Sequence, residues 1–193
     1  MYEEFMLPHG IKFEAITRKQ AQNNLTSFIQ QIASRVEMLS RAIHEQWPEW
    51  QPDFSDASLA ALDRWFPGVV ETRAASGVER RAFEKQMGEA FACLNSEYVE
   101  LTTRSMSYCI DIGIYVGEVV RHRSTNTYWA LAKGGPSYVS YNRPVLTEDK
   151  YAMQYDPLLT GTGRALRYLP SVWPRKPLDS LIRVVDIWCK CAK

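Results

Sequence analysis

The chain lacks a surplus of charge of either sign, a long apolar run, and any concentration of histidine. Its 23 Lys/Arg stand against 22 Asp/Glu, so nothing global points to nucleic acid, whose binders carry a clear basic excess. No run approaches the ~18 consecutive apolar residues of a membrane helix. Met1-Tyr2-Glu3-Glu4 is acidic where a secretory leader is basic, and no apolar core follows. His9, His44 and His122 lie far apart, and no Gly-x-Ser-x-Gly surrounds a serine. Cys189 and Cys191 are too close for a zinc knuckle, and the even count with Cys93 and Cys109 does not suggest a disulfide framework in so apolar a chain. There is no internal repeat and no low-complexity segment. These absences predict a soluble, cytoplasmic protein without metal, cofactor or membrane span.

What is present is core material. Hydrophobic residues make up 46% of the chain and six are Trp, far from the composition of a disordered segment. Its 193 residues suit one domain, whose usual size is ~100–150 residues. The small net charge hides unlike halves. Residues 1–120 hold 11 Lys/Arg and 17 Asp/Glu, a balance of −6; residues 121–193 hold 12 and 5, a balance of +7. Such segregation either steers a charged partner or is neutralised where the halves pack together.

Periodicity divides the chain further. Leu25, Phe28, Ile29, Ile32, Val36, Leu39 and Ile43 recur at spacings of three and four, the stripe of a long helix from about Arg18, with Thr17 as its cap. Pro48 stops it. A shorter helix starts near Ser55 or Asp56 and ends at Pro67-Gly68, and residues 70–77 read as a loop. From Val78 to Arg123 the pattern is helical, with a break near Asn95-Ser96 and with Leu101, Tyr108, Cys109, Ile112, Val116 and Val119 on one face. Residues 128–132 and 137–141 read as two strands joined at Gly134-Gly135-Pro136, with 142–146 as an edge extension because Pro144 cannot donate a ladder bond. Residues 147–177, including Gly161-Thr162-Gly163-Arg164, read as loop, and a helix from about Leu178 closes the chain. The expected fold is α+β: a single domain, helical over 18–123, a small antiparallel sheet with loops over 124–177, and a C-terminal helix over 178–190.

The distinctive stretch is Asp111-Ile112-Gly113-Ile114-Tyr115-Val116-Gly117-Glu118. At 100° per residue Asp111, Tyr115, Glu118 and His122 form one polar stripe at the margin of the apolar face. Gly113 and Gly117 each cost ~1 kcal/mol in a helix relative to alanine, which implies a packing need. Two carboxylates two turns apart can divide acid and base roles. Glu118 and His122 can bind a metal, given further ligands. The same residues can equally form a ladder of i,i+4 contacts, Asp111 with Tyr115 and Glu118 with His122. Farther on, Trp129, Tyr138, Tyr141 and Arg143 belong to a basic, aromatic-rich half. Aromatic and arginine side chains are the usual anchors of protein interfaces.

The segments Asp-Ile-Gly-Ile-Tyr-Val-Gly-Glu (111–118) and Asn-x-Pro-Val-Leu (142–146), with the preceding helices and the Tyr128-Trp129 strand, resemble a group of small uncharacterised bacterial proteins over residues 18–159. The resemblance implies no activity and no catalytic residue. In size, composition and α+β build the chain is also similar, by type and not by motif, to immunity proteins that neutralise bacterial toxins. The resulting expectation is a non-enzymatic binding protein for a toxin domain, with Asp111, Tyr115, Glu118, His122, Trp129, Tyr138, Tyr141 and Arg143 as candidate binding residues. The rival expectation is an enzyme or ligand binder built on the 111–122 stripe.

Overall fold

Thr17 opens helix α1 (Arg18–His44) through a capping box, its hydroxyl taking the Gln20 N–H while the Gln20 side chain accepts the Thr17 N–H. The computed structural model describes residues 2–81, 99–150, 153–168 and 180–192. Leu25, Phe28, Leu39 and Ile43 face the core as the spacing predicts. Ile29 does not, standing 44% exposed. Ser55 caps α2 (Asp56–Trp65), which buries Leu59, Leu62 and Trp65 and tightens into a 3-10 turn at Phe66–Gly68.

The expected loop at 70–77 contains a strand, β1 (Thr72–Ala74), paired antiparallel with β2 (Val99–Leu101). The expected break at 95–96 lies outside the described residues. Leu101 belongs to β2, and the helix begins only after Thr102, whose hydroxyl accepts the Ser105 N–H. The following helix, α3 (Thr103–Arg123), is the axis of the molecule. Every residue from Ser107 to Val120 is buried, so α3 has no solvent face along that stretch. A helix enclosed on all sides needs neighbours on all sides. The second sheet is antiparallel in the order β3 (Thr127–Leu131), β4 (Pro144–Glu148), β5 (Gln154–Tyr155). Residues 137–141 are turns and not the second strand. The segment after Asn142 is the central strand and not an edge, and Pro144 is its first residue, opposite Leu131. Proline is tolerated there because a strand's first residue need not donate. Asn142, at φ 62°, sends its amide to the carbonyls of Phe13 and Ile16, which docks the turn on the entry to α1.

The expected loop over 147–177 is corrected most over its described part, 151–152 and 169–177 lying outside the described residues. It contains β5 and then α4 (Pro157–Tyr168), so Gly161–Arg164 is helix and not turn. Asp156 caps α4, accepting the N–H groups of Leu158 and Leu159, and Pro157 occupies the first helical position. Two glycines let α4 lie against α3. A Cβ on Gly113 would sit 2.0 Å from the Pro157 carbonyl oxygen, and one on Gly161 would sit 1.8 Å from that of Cys109. Each helix thus seats its glycine on the other's backbone. Gly117 serves the sheet instead, since a Cβ there would meet the Trp129 ring at 2.7 Å. Ser180 caps α5 (Leu181–Cys191), which packs on α2 and α3. The fold is α+β. Among the described residues no helix is long and apolar enough to cross a membrane.

Candidate functional site

The four residues of the polar stripe leave α3 toward three different neighbours, Tyr115 and His122 sharing one. Asp111 is fully buried. Its carboxylate takes two hydrogen bonds of 2.7 Å from the Arg35 guanidinium on α1 and a third from the Tyr2 hydroxyl. Arg35 also donates to the Glu3 carbonyl and stacks beneath the rings of Tyr2 and Phe5. Burial pushes the Asp111 carboxyl up to about 6 despite these donors, while Arg35 is raised by its bonds to Asp111 in spite of desolvation. The group is a buried ionic clasp holding the N-terminal segment to α1 and α3.

Tyr115 reaches the start of α2. Its hydroxyl lies 2.7 Å from Ser58 Oγ and accepts the Phe54 N–H. Burial raises its pKa. Phe54, at φ 60°, stacks on Tyr115 and on His122, whose ring centroid is 4.1 Å away. Arg123 completes this grip on the 50–56 segment by donating to the Phe54 carbonyl and to Asp56. The i,i+4 ladder expected from spacing, Asp111 with Tyr115 and Glu118 with His122, is replaced by these longer connections. The Arg123–Asp56 pair, with Arg164–Asp63, also joins the basic half to the acidic half, so part of the charge segregation is neutralised internally.

Glu118 turns toward β3. It accepts the Trp129 indole N–H at 2.8 Å and is gripped by Arg121 through Nε and Nη2. The Trp129 ring in turn meets Phe28 edge-on at 5.0 Å. Glu118, Arg121 and Trp129 line a groove of about 750 Å³ together with Ile29, Ile32, Ala33 and Val36 of α1, Pro52 and Phe54, and Thr127 and Tyr128. Of the candidate residues, only Glu118 and Trp129 line it. Tyr138 and Tyr141 are half-buried on the turns after Gly134. Arg143 lies over the Phe13 ring and reaches Asp156 at 3.5 Å. Among the described residues no three His, Cys, Asp or Glu side chains gather as a metal site.

Spacing alone missed Ile29, Arg121 and Tyr128 as groove residues, and Arg35 as the partner of Asp111. Arg35 did carry a signal: it stands seven residues after Phe28 and four before Leu39, on the apolar face. The cysteines yield a direct check on packing. Cys109 is buried and its thiol is pushed up to about 12, whereas Cys191 is exposed. Since the thiolate is the reactive form, iodoacetamide at pH 8 is expected to label Cys191 and spare Cys109 until the protein is denatured, as read by peptide mass mapping. Equal labelling of both in the native protein would contradict the packing around α3. Compared with family models, curated proteins and solved structures, the chain finds no match.

Proposed function

We propose that the chain is a non-enzymatic protein-binding module of the immunity type, acting in the cytoplasm by covering a toxin domain. The observation that supports this reading is the groove between α1 and β3. Ile29 and Tyr128 stand 44% and 38% exposed along it, and Trp129 is fixed beside them by Glu118. A rigid aromatic next to exposed apolar side chains is the composition of an interface hot spot. The polar stripe, by contrast, gives catalysis little to use, because the Asp111 and Tyr115 side chains are engaged in holding α1 and α2 to α3.

Co-expression with a toxin-like protein encoded beside the gene tests the reading. Rescue of growth and a stable one-to-one complex are expected. Ile29→Asp and Tyr128→Asp, both on exposed side chains, should abolish rescue while leaving the thermal midpoint within a few degrees of wild type. Absence of both rescue and complex with every such neighbour would sink the immunity reading.

A further inference from the structure

Among the described residues, strand β3 pairs with β4 on one side and with no strand on the other. Two backbone bonds set the phase of its ladder. The Ala132 N–H donates to the Arg143 carbonyl, while the Thr127 N–H turns back to Ser124. With Leu131 opposite Pro144 and Trp129 opposite Leu146, alternation directs the backbone groups of Tyr128 and Ala130 to β4. Those of Trp129 and Leu131 point to the open edge. Thr127, Tyr128 and Trp129 are also groove residues. The open edge and the apolar groove therefore coincide at the first half of β3.

The remaining walls define what fits. Ile29, Ile32 and Ala33 of α1, with Pro52 and Phe54, belong to the same lining. A single added strand needs only ~4.8 Å beside β3. Of the Glu118–Arg121 ion pair in the lining, the side chains are 7% and 45% exposed respectively, so the guanidinium is the member that meets solvent.

We propose that the groove takes an extended segment of a partner protein, which adds as a strand to β3. It would place apolar side chains against α1 at alternate positions and an acidic side chain opposite Arg121. Backbone pairing would supply affinity, and the alternate pockets specificity. This inference rests on the protein-binding reading above and names the form in which the partner is held.

Panning a phage-displayed library of unstructured 12-residue peptides on the full-length protein, with Ile29→Asp as counter-target, tests it. Recovered sequences are expected to carry apolar residues at every second position and Asp or Glu at one end. A synthetic copy should shift the Trp129 and Leu131 backbone amide resonances and slow their exchange. N-methylation of the peptide nitrogen facing Trp129 should weaken binding about tenfold, as should replacing its acidic residue by Lys. Helical spacing in the recovered peptides, insensitivity to N-methylation, or failure of any peptide to distinguish wild type from Ile29→Asp would overturn strand addition. So would dimerisation of the free protein through the same amides. None of these results touches toxin rescue, while loss of rescue with intact peptide binding would overturn the immunity reading alone.

Discussion

Gly161→Ala is expected to lower the unfolding free energy by about 3 kcal/mol or more, at or beyond the upper end for overpacked cores. The new methyl would lie 1.8 Å from the Cys109 carbonyl oxygen and 2.5 Å from its carbon. Both obstacles are backbone within the enclosed part of α3, so no rotamer change relieves them. The two helices must separate, which opens the contact between α3 and α4 along its length. Gly113→Ala should act in the same way, since its methyl would lie 2.0 Å from the Pro157 carbonyl oxygen. Because both substitutions are relieved by the same separation, the double variant should lose less than the sum of the two. Gly163→Ala is the internal control. It stands two residues away in α4 with nothing within 4 Å of its Cβ position, and should gain up to about 1 kcal/mol from helix propensity. Guanidinium denaturation midpoints read all four. A neutral Gly161→Ala would mean that α4 does not touch α3 as described.

Arg35→Met is expected to destabilise the protein by about 3–5 kcal/mol at pH 8, the usual cost of stranding one member of a buried pair. The loss should shrink toward pH 5, and the sign follows from Asp111. In the folded protein its carboxyl is already raised, to about 6, above the ordinary value of 3.8. A raised acid binds its proton more tightly folded than unfolded, so its stabilising contribution is complete below the unfolded pKa and is lost as pH rises through the folded one. Wild type should therefore lose some stability between about pH 4 and 6. Removing the Arg35 cation raises the Asp111 carboxyl further, so the loss extends to higher pH. The double variant Arg35→Met/Asp111→Leu should recover most of the deficit, because two apolar groups of similar bulk need no desolvation. Urea unfolding of the three proteins from pH 5 to 8 measures this. A pH-independent deficit for Arg35→Met would show that Asp111 does not take up a proton when its partner is lost.

These two sites also show what spacing along the chain can and cannot reveal. The caps at Thr17 and Ser55 and the apolar repeat of α1, Ile29 apart, are local and form as expected, whereas the cap at Thr102 went unread inside a longer helical pattern. The cost of Gly113 and Gly117 implied close packing, and both are in fact occupied by a neighbour, Pro157 in one case and Trp129 in the other. Helix α4 was illegible because its two glycines and two threonines look like loop. Thr160 and Thr162 return their hydroxyls to the carbonyls of Asp156 and Leu158, and Gly161 is required by a contact 52 residues away in the chain. Asp156-Pro157 was the readable clue, a cap followed by proline at the first helical position. In the sheet, alternation favoured Ser137–Tyr141, yet pairing with β3 selected Pro144–Glu148. The stripe from Asp111 to His122 does share one helical face. What each member does was decided by Arg35, Ser58, Trp129 and Phe54, residues on other elements that a single helix's periodicity cannot place.

The enclosure of α3 has a consequence for synthesis. Its covering helix α4 is complete only about 45 residues after α3 ends, which at ~5–20 residues per second leaves several seconds between the two. During that interval the glycine face of α3 is bare and the Cys109 and Gly113 backbone has no neighbour. A nascent chain that has emerged from the ribosome only as far as Glu148 would thus hold an assembled α1–α3 pair with one side open to other chains. Arrest once α4 has emerged, with an added C-terminal linker filling the exit tunnel, rather than before it should sharply reduce aggregation, and holdase chaperones should crosslink to α3 only in the earlier arrest.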